Sequence, residues 1–266
     1  MNSRLIKELV IASLALILVS AMWLLWRRHT VYRKQLPRIY ELRDLLPDPP
    51  PASAYLRDLD RSLADIPQKL FQFRRIEQDL AGLDPQAWMF LKLELKPLLV
   101  AKHPKRGWQA LFDKLNEAKA YNYLRGVGYD DVRFIPRSKT KGQRTPDFSA
   151  ANGQSKALCE VKTINASEVE VDRRDSGGVG TTTNQLEQGF FAKLSADLSS
   201  AKSQMLAYDI DVATKKIVYV ILNFDDQLHE YADRYRQQID HYLSSATPEG
   251  LEVVLESKPP FYGAMS

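Results

Sequence analysis

The segment TPDFSAANGQSKALCEVKT, residues 145–163, sets acids and a lysine where they can act together. Asp147 follows a proline, and beyond an Asn-Gly turn signal Glu160 and Lys162 interrupt the apolar run Ala157-Leu158-Cys159. Asn-Gly favours a two-residue type I′ turn, which sets Ala151 opposite Gln154 and, counting outward, Asp147 opposite Leu158. Side chains alternate along a strand, so Asp147, Glu160 and Lys162 share one face with the two acids as diagonal neighbours. The turn decides this: a loop that shifts the pairing by one residue sends Asp147 to the other face. Two carboxylates about 6 Å apart repel by roughly 3 kcal/mol at an effective dielectric near 20, so a cation belongs between them. Lys162 supplies part of that charge, and oxygen ligands suit a hard ion, Mg2+ or Mn2+. Such an ion polarises a phosphoryl oxygen and acidifies water, while Lys162 orients the nucleophile or stabilises developing charge. The chemistry expected is phosphodiester hydrolysis.

The elements that must hold these residues can be read on both sides. Trp108 to Arg125 has helical spacing in Leu111, Leu115, Ala118 and Tyr121 and stops at Gly126. Val132 to Ile135 reads as a strand, followed by the hairpin about Asn152-Gly153. A helix is expected from about Glu187 to Ala207, with the stripe Phe191, Leu194, Leu198, Ala201, Met205. The apolar run Ile217 to Phe224 is a strand central in the sheet. An amphipathic helix near Gln227 to Leu243 and a strand from Leu251 to Leu255 complete an α/β plan with a mixed sheet flanked by helices.

Composition bounds the rest. The 266 residues are 44% hydrophobic and 26% charged, with a net charge of +4 and a pI near 9.0, which suits a folded chain with a basic surface. One cysteine cannot form an internal disulfide, and the four histidines show no zinc-ligand spacing, so zinc chemistry is not indicated. Leu9 to Trp26 is uncharged and, as a helix, about 27 Å long, so residues 1–29 are expected to be a single-pass anchor in the lipid bilayer. Arg27, Arg28, Arg33, Lys34 and Arg38 follow it, which by the positive-inside rule puts the C-terminal domain in the cytoplasm. Residues 30–106 read as a helical segment and linker, broken at Pro47-Asp48-Pro49-Pro50-Pro51. No chemistry is evident in that segment. Residues 107–266 carry the motif.

Pro146-Asp147 and Glu160-Val161-Lys162 together resemble the signature of the PD-(D/E)XK nucleases, the restriction-endonuclease-like superfamily. The resemblance covers roughly residues 108–225. Glu94-Leu95-Lys96, Glu117-Ala118-Lys119 and Glu256-Ser257-Lys258 also fit the second half, but none is joined to a Pro-Asp across a hairpin. The resemblance implies a core in the order helix, three strands, helix, strand, with Asp147 and Glu160 as metal ligands and Lys162 as catalytic base or charge stabiliser. It also implies a third metal-site acid from the first core helix, where Glu117 stands. Gln204-Met205-Leu206-Ala207-Tyr208 resembles the QxxxY feature of the RecB-like branch, which adds Gln204 and Tyr208 to the catalytic candidates.

Arg133, Arg137, Lys139, Lys141 and Arg144 precede the motif with no acid among the residues between Val132 and Pro146, as a phosphate-contacting loop would. Residues 165–185 are polar and glycine-rich and read as a mobile loop. The expectation is a membrane-anchored, Mg2+- or Mn2+-dependent nuclease acting on nucleic acid, DNA before RNA. The rivals are a non-catalytic nucleic-acid-binding module on the same fold and a tethered scaffold working through residues 32–99.

Overall fold

A computed structural model of the chain describes residues 29–153, 155–165, 184–224 and 231–258, together with Ser13, Leu16, Val19, Ser20 and Trp23. Its centre is a mixed five-stranded sheet in the order β1-β2-β3-β4-β5, made of Asp131–Phe134, Phe148–Asn152, Ser155–Ile164, Lys215–Leu222 and Leu251–Ser257. The first three strands form an antiparallel meander, and β3, β4 and β5 run parallel. The helix, three strands, helix, strand order is therefore present, with one further helix and strand after it.

Period-2 alternation divides the sheet between two apolar cores. On one face Ala157 and Cys159 of β3 and Ile217, Tyr219 and Ile221 of β4 point into the first core. On the other, Leu158 and Ile164 of β3 and Val218, Val220 and Leu222 of β4 point into the second. Burial on both faces explains why β4 is an unbroken apolar run.

Among the described residues, six α-helices lie between Pro37 and the sheet: α1 (Pro37–Arg43), α2 (Leu59–Asp65), α3 (Pro67–Ala81), α4 (Pro85–Leu95), α5 (Gln109–Leu115) and α6 (Glu117–Gly126). Proline occupies the first turn of α1, α3 and α4, where its missing N–H costs nothing. Asp84 caps α4 by accepting the Ala87 N–H at 2.8 Å, an interaction typically worth about 1 kcal/mol, and also accepts the Tyr121 hydroxyl of α6 at 2.7 Å. Residues from all six helices join the sheet in the first core: Tyr40, Leu63, Phe73, Leu91, Leu95, Leu115 and Tyr121 among them. The segment read as a separate helical piece thus shares one interior with the sheet.

The single helix expected over 108–125 is two, meeting at Asn116, whose side chain reaches Thr163 Oγ1 on β3 at 3.2 Å. Behind the other sheet face lie α7 (Gln188–Tyr208) and α8 (Ala232–Ala246), which supply Leu194, Leu198, Ala201, Met205 and Ile239 to the second core.

One expectation is corrected. Among the described residues no helix is long and apolar enough to cross a membrane, whereas a spanning helix requires about 20 consecutive apolar residues. The bilayer anchor at residues 9–26 is not supported, nor is the cytoplasmic single-pass placement that depended on it. Of that segment only five positions are described, all of them helical; the remainder, like most of the loop expected at 165–185, lies outside the described residues.

Candidate active site

The hairpin carrying the motif is registered differently from the simplest turn geometry. Phe148 pairs with Cys159 and the ladder runs to Asn152 opposite Ser155. Asn152 stays in the strand, its side-chain amide donating to the Gly128 carbonyl at 2.9 Å, and the turn begins at Gly153, whose φ of +52° a glycine adopts without strain. The pairing moves by two, and continuing it one residue outward sets Asp147 across from Glu160 instead of Leu158. An even shift preserves the face, so the two acids are direct rather than diagonal neighbours.

Glu160 is buried and Asp147 half-buried. Glu160 is only 5% exposed, its Oε1 accepting from Lys162 Nζ at 2.7 Å and its Oε2 from Gln204 Nε2 at 2.8 Å. Gln204 also donates to the Thr145 carbonyl at 2.6 Å, which ties α7 to the chain just ahead of Asp147. Asp147 Oδ2 accepts the Val161 N–H at 2.7 Å. Burial first, and the Asp147 charge second, push the Glu160 carboxyl up to about 7 against the pull of Lys162. Asp147 is raised as well, chiefly by burial, with the Val161 N–H, Lys114 and Lys162 opposing.

Glu117 opens α6 and is also buried. Burial, then the Asp147 charge, push it up to about 8. Its counter-charge is Lys114, whose Nζ lies 2.8 Å from Oε1 and 3.0 Å from Oε2, with Glu94 Oε2 of α4 at 3.6 Å. Neither Lys114 nor Glu94 stands out in the sequence as a site residue. A Lys and Glu three apart on a helix read as an exposed pair. Lys114 is nevertheless 8% exposed, because α4 packs against α5.

These side chains surround a cavity of about 350 Å³. Glu117, Asp147, Glu160, Lys162 and Gln204 line it together with Lys114 and Glu94; Arg137 and Arg144 line it from the basic loop. The other sequence candidates lie apart. Lys139 and Lys141 are exposed elsewhere on that loop, and Arg133 Nε pairs with Asp131 Oδ1 at 2.7 Å. Tyr208, one turn beyond Gln204, is 45% exposed and does not line the cavity.

The metal expectation can be tested against the donors. Asp147 and Glu160 are two oxygen acids in close electrostatic contact, which favours a shared cation or a shared proton. Among the described residues no three His, Cys, Asp or Glu side chains form a ready-made cage, and Glu117 is engaged by Lys114. Mg2+ commonly takes one or two carboxylates and completes its shell with water and phosphate, so the Asp147–Glu160 pair fits such an ion without Glu117.

Comparison of the chain with protein-family models, with curated proteins and with solved structures gave no match.

Proposed function

We propose that this chain is a metal-dependent nuclease of the PD-(D/E)XK type that hydrolyses phosphodiester bonds, with DNA as its substrate. The observation that supports this best is the juxtaposition of Asp147 and Glu160 on one face of the β2–β3 hairpin, with Lys162 Nζ 2.7 Å from Glu160, inside a cavity lined by Arg137 and Arg144. Asp147 and Glu160 both keep a raised proton affinity although Lys162 and, for Asp147, Lys114 oppose it, and two such acids side by side are suited to sharing a cation.

Asp147 and Glu160 would hold Mg2+ or Mn2+, which supplies Lewis acidity toward a phosphoryl oxygen and toward water. Gln204 holds Glu160 in place through the 2.8 Å bond and so fixes where that carboxylate presents its oxygens. Lys162, 21% exposed and 2.7 Å from Glu160 Oε1, would donate to the charge that develops on the phosphate during attack. Arg137 and Arg144 neutralise the flanking phosphates.

Incubating the purified full-length chain with linear, circular and single-stranded DNA, with and without Mg2+, tests the reading. Cleavage is expected only with the ion. Asp147→Ala and Glu160→Ala should abolish it, while affinity for DNA without metal should hold or rise because negative charge has been removed. Lys162→Ala should slow it by about 10²- to 10³-fold. Three variants that cut like the parent would disprove the assignment. A parent that binds DNA yet cuts nothing with any divalent ion would point to a binding module.

A further inference from the structure

Part of the cavity lining has a chemistry the hydrolytic residues do not use. Two aromatic rings, Phe90 from α4 and Phe134 from the end of β1, line it beside the charged side chains, both half-buried. The rings are stacked, with centroids 5.0 Å apart and planes within 18° of each other. Phe134 is packed between Phe90 and its core neighbours Phe148, at 4.5 Å, and Tyr121, at 6.3 Å, which leaves Phe90 as the ring that can offer a face to the cavity. Ser138 and Gln143 line the same cavity, the Ser138 hydroxyl donating to Gln143 Oε1 at 3.0 Å.

We propose that this aromatic lining takes an unpaired nucleobase, so that the preferred substrate is single-stranded DNA; the inference rests on the nuclease reading of the same cavity. The bases of a duplex are stacked on one another and show only their edges in the grooves. Aromatic rings recessed in a cavity can therefore meet a base face only when the nucleotide has left its stack. About 350 Å³ is room on the scale of a small ligand, suited to one nucleotide and too small for a paired duplex. The lining also offers a partner to each half of a nucleotide: the lysines, with a cation, suit the phosphate, and the ring of Phe90 suits the base. Stacking on aromatic side chains is the usual way in which single strands are held without sequence preference.

The test separates base stacking from cleavage. Oligonucleotides carrying 2-aminopurine at successive positions are bound to the full-length chain in Ca2+, once as single strands and once within a hairpin duplex. Quenching confined to one or two positions of the single strand, and affinity for it above that for the duplex, are expected. Phe90→Ala should lose the quenching and weaken single-strand binding by about 5- to 150-fold, the range a stacked base is worth. Phe90→Trp should retain both, and Phe90→Leu, which keeps the apolar packing without the ring, should behave like Phe90→Ala. Equal binding of duplex and single strand, or unchanged quenching in Phe90→Ala and Phe90→Leu, overturns the inference. A free nucleoside monophosphate that competes as well as the strand also overturns it. Cleavage in Mg2+ is scored separately: a protein that cuts duplex DNA regardless of Phe90 refutes the base stacking alone, and one that stacks the base but never cuts refutes the nuclease reading alone.

Discussion

Glu160 and Glu117 carry protons in the folded protein at pH values where the unfolded chain has released them. Their folded affinities, about 7 and about 8, lie above the ordinary 4.5, and burial is the main cause of each. Between pH 4.5 and about 8 the native state therefore binds more protons than the unfolded state, so these groups make stability fall as pH rises, until the slope vanishes above the higher value. Glu117→Gln, which keeps the shape and cannot ionise, should raise the thermal midpoint at pH 8 by several degrees, leave it nearly unchanged at pH 4.5, and flatten the profile between. A profile as steep as the parent's would show that Glu117 titrates normally. Mg2+ should stabilise the parent more at pH 8 than at pH 5.5, because protons compete for the same oxygens. Much of this cluster was legible along the chain, since Glu160 and Lys162 need only strand alternation, and Asp147 an even register across the hairpin, to meet. Lys114 was not, because what makes it exceptional is the packing of α4, which brings distant parts of the chain together.

At the scale of elements, the hairpin preserved the expected face although the turn moved. Strand geometry is forgiving toward even shifts and unforgiving toward odd ones, and the observed shift is even, with Asn152 kept in the strand and bonded to Gly128, a contact invisible in a turn signal. The basic loop was only partly readable, since a run of like charges gives no direction. Arg137 and Arg144 turn to the cavity while Arg133 is taken by Asp131. Replacing Arg137 and Arg144 by Ala should reduce the salt dependence of DNA binding by roughly one unit of slope for each phosphate left without its cation. Arg133→Ala should leave it alone. Measured affinities between low and moderate salt decide, and equal slopes in parent and double variant would mark the loop as solvated surface. On α7 the spacing of Gln204 and Tyr208 suggested a pair, yet only Gln204 reaches the acids. Residues four apart share a helix face but differ by a full turn in height, and the cavity ends before Tyr208.

For the whole molecule, the boundary near residue 106 that looks like a linker in sequence does not divide the interior. Trp88, Leu91 and Leu95 are almost fully buried in the cluster that also holds Tyr121, Phe148 and Ile217. Lys119 of α6 reinforces the join, with Asp79 Oδ2 of α3 at 3.2 Å and Glu256 Oε1 of β5 at 2.6 Å. A chain beginning at residue 107 should therefore bind a hydrophobic dye and melt without a cooperative transition. Sharp unfolding of that fragment would contradict a shared core. The common interior escaped sequence reading because amphipathic helices show that a face is buried and not what buries it. The same α4 that closes this interior also carries Phe90 and Glu94 into the cavity. A gene rearrangement that joined the hairpin to a foreign leader would deliver a motif with neither its hydrophobic partner nor one side of its chamber. The helical half and the motif half can be shuffled independently as text, but they are heritable as a working unit only together.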